Sequence, residues 1–225
     1  MILRKEVKNM LDNYEKEIDF EEAQIKCQMM ADDPLSLQYE LEDYCAYKHD
    51  RTRFGRFDYM DEIYEELMWD PDKDIQKAQD SVDTMMVDWW LDGNHFPDMP
   101  PEDIIDFFKY SDKTVIMNKQ DFETWNSLPE RVTLYRGAAT GDEFGRVKLS
   151  WTLNPKKAWF FAEDNAHRKG GYPVVYEINV PRALCLAYFS ILKEDEIILD
   201  VFEFVRRGFR MHPNVGYIKK EYIDE

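Results

Sequence analysis

The chain has 225 residues, of which 44% are hydrophobic and 15% aromatic, and this composition supports a packed core and argues against wholesale disorder. The net charge of −17 is uneven, because acidic residues outnumber basic ones by 33 to 14 in residues 1–130, whereas residues 131–225 carry 15 basic and 13 acidic ones. Contacts to phosphate need Lys and Arg, so the acidic part is a poor candidate for polyanion binding. The division of charge predicts two zones with different roles.

Nothing in the sequence predicts export or insertion into a membrane. No apolar segment follows the basic N-terminus, and no apolar run approaches the ~20 residues that a membrane span requires. The three cysteines, Cys27, Cys45 and Cys185, form no metal-type pair and cannot all pair with one another, which indicates reduced thiols. We therefore expect a soluble protein in the cytoplasm of a bacterial host cell, with no membrane partner.

Charged and apolar residues recur at helical spacing through most of the first 130 residues. The pattern predicts helices over residues 1–20, 21–30, 36–48, 61–69, 74–91, 102–110 and 120–127, with a linker at 97–101. Prolines preceded by Asp mark two of the helix ends, at Asp33-Pro34 and Asp70-Pro71. The Met and Trp residues of segment 74–91, including Trp90, are typical of core positions.

From residue 131 the chain favours strands, with β-branched and aromatic residues between Gly and Pro breaks. Strands are predicted over residues 132–135, 147–152, 173–180, 184–189 and 196–204. A helix is predicted over 154–162, with Asn154 as N-cap and Pro155 in the first turn, followed by a polar loop over 163–172. We predict an α+β fold in which an acidic helical region, residues 1–130, packs on a β-rich core, residues 131–225; a single continuous domain is the alternative.

Three polar signals follow one another on the predicted strands. They are Arg136 before Gly137, Ser150 in Ser150-Trp151-Thr152, and Glu194-Asp195-Glu196 before an apolar run. A guanidinium can grip phosphate with two parallel hydrogen bonds, and a glycine lets the backbone approach a ligand closely. Side chains two residues apart on a strand share one face, so Ser150 would lie beside Thr152, and Glu194 beside Glu196. Taken singly, each signal also fits an ordinary strand edge or a solvated acidic turn.

In this order the motifs resemble the Arg-Ser-Glu class of mono-ADP-ribosyltransferases, which includes cholera-type toxins and many phage and bacterial effectors. The resemblance covers roughly residues 131–200, and Trp151 departs from the Ser-Thr-Ser pattern of the class. It implies an ADP-ribosyltransferase-like core with NAD as substrate and no metal. Glu196 would stabilise the positive charge that builds on the ribose as nicotinamide leaves, and Ser150 would hold Glu196. Arg136, Gly137 and Thr152 would help to bind NAD, and Glu194 would activate the acceptor.

Further site residues come from the same resemblance. An aromatic residue after the serine motif would stack on nicotinamide, and the sequence does not choose between Phe160 and Phe161. The predicted loop 163–172 would contact phosphates through His167, Arg168 and Lys169. Tyr188 and Phe189, just before the Glu pair, are the candidates for acceptor recognition.

Three functions remain open at this point. The first is transfer of ADP-ribose to a macromolecule, with a protein arginine as first acceptor because Glu-x-Glu goes with arginine in the class, and RNA or DNA as the other choice. The second is an NAD glycohydrolase that acts as a toxin by depletion. The third is a non-catalytic protein on a degenerate transferase fold, whose acidic face binds a basic partner. An antitoxin is a further candidate partner for the acidic region. The four histidines are scattered and show no metal-ligand spacing.

Overall fold

The computed structural model describes residues 20–52, 75–91 and 99–215. Within these ranges the chain forms eight helices and one six-stranded sheet, which confirms the α+β class. The helices are α1 Phe20–Asp32, α2 Pro34–Thr52, α3 Ile75–Trp89, α4 Pro101–Tyr110, α5 Lys113–Ile116, α6 Lys119–Asn126, α7 Pro155–Lys169 and α8 Val201–Arg206. The strands are β1 Arg131–Ala139, β2 Ser150–Thr152, β3 Pro173–Pro181, β4 Cys185–Phe189, β5 Glu196–Leu199 and β6 Met211–Val215.

The sheet has the order β4-β5-β2-β1-β3-β6, and all neighbouring strands are antiparallel. β1 pairs with β3 along its whole length, from Arg131 opposite Pro181 to Ala139 opposite Pro173. β1 pairs with β2 only where Tyr135 lies opposite Thr152. After Tyr135, β1 continues to Ala139 without pairing with β2, and the connection 140–149 then leads to β2. The sheet is therefore open between the last residues of β1 and the start of β2.

Helix α7 packs closely on β1 beside this opening. Its first turn is capped as predicted, because the side-chain oxygen of Asn154 accepts hydrogen bonds from the backbone N–H groups of Lys156 and Lys157, at 3.0 and 3.4 Å. A Cβ atom added to Gly137 of β1 would lie only 2.5 Å from the backbone nitrogen of Ala162. The glycine therefore permits the close approach of helix and strand.

The helices before residue 131 and the sheet share one hydrophobic cluster. Its centre includes a chain of rings in which Trp90 packs edge-on against Phe108, with centroids 5.3 Å apart, and Phe108 packs against Phe189 of β4 at 6.0 Å. These contacts bury the apolar face of α4 against the sheet and place the end of α3 next to the strands. In the ranges that the structure describes, the helices are too short or too polar to cross a bilayer.

Three sequence predictions about elements need correction, and one strand was not predicted. The predicted strand 196–204 ends at Leu199, because Asp200 caps helix α8 by accepting a hydrogen bond from the backbone N–H of Glu203 at 2.9 Å. Helix α7 continues to Lys169, so the predicted loop 163–172 is mostly helical. β1 continues to Ala139 and holds Arg136 within the strand rather than at its end. β6 was not predicted; it contains Pro213, which cannot donate to the ladder and is tolerated because β6 is an edge strand.

The predicted helices over 1–20 and 61–69 fall almost wholly outside the described residues, as does the start of the predicted linker at 97–101. The helices predicted over 21–30, 36–48, 74–91, 102–110 and 120–127 are present with shifted ends. One short helix, Lys113–Ile116, was missed because it is a single turn and shows no periodicity.

Candidate functional site

A cleft of about 900 Å³ lies at the opening between β1 and β2. Its walls come from the strands, from α7, from the connection 140–149 and from the helices before residue 131. Nine residues of the sequence prediction line this one cleft: Arg136, Gly137, Ser150, Thr152, Phe161, Arg168, Lys169, Glu194 and Glu196. The fold therefore brings together side chains that lie up to 60 positions apart along the chain.

Arg136 spans the opening between the two strands. Its Nε donates a hydrogen bond to the carbonyl oxygen of Gly145 at 2.7 Å, and its Nη1 donates to the carbonyl oxygen of Ser150. These bonds tie the connection 140–149 to β2 and hold the plane of the guanidinium fixed. A guanidinium has five N–H donors, so Arg136 can keep these bonds and still donate to an anion in the cleft.

Glu196 begins β5 opposite Thr152 of β2 and is only 8% exposed. Burial raises the pKa of its carboxyl group above the usual range. Hydrogen bonds from Ser150 and Trp90 oppose this rise, Glu194 adds to it, and the charge of Arg136 lowers the pKa again. Ser150 lies on the neighbouring strand β2, opposite Ile198 and two residues from the partner of Glu196. The arrangement presents a desolvated carboxylate whose orientation is fixed by donors, which suits it to stabilise positive charge in a bound ligand.

The backbone before Glu196 is a tight turn, so the sequence prediction of an extended Glu194-Asp195-Glu196 segment is wrong. Lys193 and Asp195 have left-handed backbones, with φ of 55° and 50°, a conformation that costs energy for residues other than glycine. Thr152 holds the turn by donating from Oγ1 to the carbonyl oxygen of Glu194. The turn, rather than strand alternation, is what brings Glu194 to the same cleft as Glu196.

The side chain of Asp195 points to a different neighbour. It accepts a hydrogen bond from the hydroxyl of Tyr188 at 2.8 Å, and its backbone carbonyl accepts from the N–H of Leu153 at 3.0 Å. Tyr188 therefore supports the turn and does not line the cleft. Phe189 is 2% exposed and packs against Phe108 in the core. The structure thus places neither candidate for acceptor recognition at the cleft. Ile191, from the same segment, lines the cleft and is 47% exposed.

A group of basic residues lines the cleft: Arg136, Lys148, Arg168 and Lys169. Asp142 lies among them, with its carboxylate 2.6 Å from the ammonium nitrogen of Lys169 and 3.9 Å from that of Lys148. Burial lowers the pKa of Lys148 to about 8; the charge of Arg136 acts in the same direction, and Asp142 opposes it. The cleft is also lined by the carboxylates of Glu143, Glu194 and Glu196, so an anionic ligand would be held by this basic group and not by an excess of positive charge over the whole cleft.

Lys148 was missed by the sequence reasoning. It lies in the segment predicted as a strand over 147–152, but the strand begins only at Ser150, so Lys148 belongs to the connection 140–149 and strand alternation does not place it in the cleft. Arg168 and Lys169 were predicted, but on a loop, whereas they belong to the last turn of α7. His167 belongs to the same turn and does not line the cleft.

The structure distinguishes the two aromatic candidates on α7. Phe161 lines the cleft, whereas Phe160 is 56% exposed and lies outside it. The two rings touch edge to face, with centroids 5.6 Å apart. Phe161 is therefore the ring that could stack on a flat ligand group.

The helices before residue 131 also contribute to the cleft, through Tyr44, Trp90, Leu91 and Ile104. Trp90 is 3% exposed, and its Nε1 donates to both carboxylate oxygens of Glu196 at 3.3 Å. The sequence reasoning treated Trp90 as a core residue only, because helical periodicity cannot show which side chain of a distant strand a residue will meet.

Among the residues that the structure describes, no three His, Cys, Asp or Glu side chains come together as metal ligands. Comparison of the chain with family models, with characterised protein sequences and with solved structures found no significant match.

Proposed function

We propose that this protein is a mono-ADP-ribosyltransferase, which cleaves the nicotinamide–ribose bond of NAD and transfers ADP-ribose to a macromolecule. One observation carries the proposal: Arg136, Ser150 and Glu196 line a single cleft, in which Glu196 is a buried carboxylate. A cleft of about 900 Å³ is within the range of cofactor-sized pockets, roughly 300–1,000 Å³. The core would then be an ADP-ribosyltransferase-like fold, with the helices packed on it.

The proposed binding mode follows the charge of the cleft. The diphosphate of NAD carries two negative charges, and the basic side chains of Arg136, Lys148 and Lys169 form the surface that would accept it. Nicotinamide is a flat ring, and Phe161 offers a ring on which it can stack. With both ends held in this way, the ribose between them would lie near Glu196.

Glu196 would act on the bond that breaks. Nicotinamide leaves with the electron pair of the glycosidic bond, and positive charge develops on the ribose. The ionised carboxylate of Glu196 stabilises that charge inside a cleft where water screens it little. Ser150 and Trp90 hold the carboxylate before the ligand arrives, so little reorganisation is needed during the reaction.

Glu194 is suited to the second half of the reaction. It lines the same cleft and is only partly buried, so an acceptor from solution can reach it. As a carboxylate it can take a proton from an attacking guanidinium. This supports a protein arginine as the acceptor, with a nucleic acid as the alternative outcome of the test.

The proposal is tested by incubating the purified protein with biotin-tagged NAD and a bacterial lysate. We expect free nicotinamide, measured by chromatography, together with biotin label in the protein fraction. Label in the nucleic-acid fraction would reassign the acceptor. Free ADP-ribose without labelled macromolecules would indicate the glycohydrolase instead. The proposal is contradicted if no nicotinamide is released and calorimetry detects no binding of NAD.

The affinity for NAD should fall as the pH rises from 7 to 9.5, because Lys148, whose pKa is about 8, loses its charge in this interval. Losing one charge-assisted contact to phosphate costs roughly 1.5–3 kcal/mol, so the dissociation constant should rise about tenfold or more. Lys148→Arg keeps its charge throughout this range and should remove most of the pH dependence. Isothermal calorimetry at both pH values measures the effect.

The matched control for that measurement is Lys119→Arg, on an exposed surface of α6 outside the cleft. This variant should retain the full pH dependence of the wild type. A wild-type dissociation constant that stays constant from pH 7 to 9.5 would show that Lys148 does not contact the ligand.

A further inference from the structure

The turn that directly follows helix α3 places an indole against the carboxylate proposed to act on the ribose. Trp90 and Glu196 are 106 positions apart in the sequence, yet the Nε1–H of Trp90 lies 3.3 Å from each carboxylate oxygen. Its ring is held from behind by Phe108, at 5.3 Å and an interplanar angle of 84°. The indole is therefore fixed and cannot turn away without disturbing the core.

Other indoles in the structure use their N–H groups differently. Trp125 donates to the backbone carbonyl of Cys185 at 2.7 Å, and Trp151 donates to that of Lys148 at 2.9 Å. Those bonds satisfy backbone groups, as is usual for buried indoles. The bond from Trp90 instead ends on a buried acid, where a donor changes the balance between the protonated and the ionised form.

We propose that Trp90 is a positioning residue for Glu196, so that the acidic helical region completes the catalytic site rather than only covering the sheet. This inference rests on the proposed function. An indole N–H can donate but cannot accept a proton near neutral pH. Trp90 therefore cannot serve as an acid or base itself, and its contact with Glu196 can only orient the carboxylate and favour its ionised form.

The groups that face Glu196 set the direction of the effect. Ser150 and Trp90 donate hydrogen bonds to it, Arg136 supplies positive charge and Glu194 supplies negative charge. Burial and the charge of Glu194 raise the pKa of Glu196, and the hydrogen bond from Trp90 lowers it. Without that bond, the pKa of Glu196 should rise further. Because NAD cleavage needs the ionised form, the acidic limb of the pH–rate profile should move to higher pH.

The test compares Trp90→Phe with the wild type in the pH dependence of nicotinamide release. A charge-assisted hydrogen bond is worth enough to shift the limb by about one pH unit. We expect that shift, with activity recovered in large part at higher pH. The matched control is Trp125→Phe, which also removes an indole N–H that donates a hydrogen bond, here to the backbone of Cys185, but lies away from Glu196; its limb should not move.

Two further measurements keep the inference testable if Trp90→Phe folds poorly or if the enzyme proves inactive. Placing 3-benzothienylalanine at position 90 preserves the shape of the indole and lacks the N–H, and it should produce the same shift. Glu196 can also be titrated directly by the ¹³C resonance of its carboxyl group, assigned through Glu196→Gln. An unshifted titration in a folded variant overturns the role of Trp90, whatever the enzymatic result. Absence of NAD cleavage by the wild type, with the titration shifted, would overturn the proposed function alone.

Discussion

Replacing Glu196 by Gln is expected to reduce nicotinamide release about a thousandfold or more while leaving the fold intact. The amide has the size of the carboxyl group, and its oxygen can still accept hydrogen bonds from Ser150 and Trp90. It lacks the negative charge that, in the proposed reaction, would stabilise the developing positive charge on the ribose. Removing one such preorganised electrostatic group typically costs roughly 10²–10³ in rate, and here the missing group is a full charge. Steady-state rates with saturating NAD measure the effect.

The same variant should be more stable than the wild type at neutral pH. Burial raises the pKa of Glu196 in the folded state, so the folded protein binds this proton more tightly than the unfolded chain does. The contribution of Glu196 to the free energy of unfolding is therefore fully present below the unfolded pKa of about 4.3, and it is lost as pH rises through the raised folded pKa. Glu196→Gln cannot ionise, so the variant does not lose this stability at neutral pH. Calorimetry should show a melting temperature higher by about 2–4 °C for each kcal/mol regained at pH 7.5, with little difference at pH 4.

Glu194→Gln serves as the companion variant, because it neutralises the carboxylate of the same cleft that lies two residues before Glu196. Since Glu194 is assigned to the acceptor, this variant should lose transfer to macromolecules and retain some hydrolysis of NAD. Full activity in Glu196→Gln, or equal loss of hydrolysis and transfer in both variants, would refute the assignment of separate roles.

Strand alternation explains one of the two pairs that the sequence predicted for the site. Ser150 and Thr152 were grouped on one face by the two-residue period of a strand, and both line the cleft. Glu194 and Glu196 were grouped by the same argument, but they meet through a left-handed turn at Asp195. A left-handed aspartate leaves no periodic signal, because its conformation depends on tertiary contacts such as the bond from Tyr188.

The parts of the site that come from distant segments could not be predicted in this way. The connection 140–149 contributes Asp142 and a carbonyl oxygen that fixes Arg136, and both depend on where the sheet opens. Trp90 reaches Glu196 only because α3 and α4 pack on the sheet in one particular orientation. Helical periodicity identifies a buried face but not its partner. Local patterns therefore gave the residues of the strands, and long-range packing supplied the rest.

Gly137→Ala should destabilise the protein by about 3 kcal/mol or more, or prevent it from folding. The added Cβ atom would fall within the contact distance of the carbonyl oxygen of Ala158 and 2.5 Å from the nitrogen of Ala162, both in the backbone of α7. A flexible side chain could move aside, but the backbone of a packed helix can only shift as a unit, and overpacking of this kind costs roughly 1–3 kcal/mol or more. Urea denaturation followed by circular dichroism measures the loss.

Gly141→Ala is the matched control, since it makes the same chemical change at another glycine that lines the cleft. A Cβ atom there would have its nearest neighbour at 3.5 Å, an ordinary contact, so stability should change by about 0.5 kcal/mol or less. If both variants were equally stable, α7 could not lie as close to β1 as the structure shows. Phe161 would then lose the support that places it at the cleft, because α7 carries Phe161 and contacts the sheet at Gly137. The two alanine variants therefore test whether the position of Phe161, on the nicotinamide side of the proposed site, depends on residue 137 being a glycine.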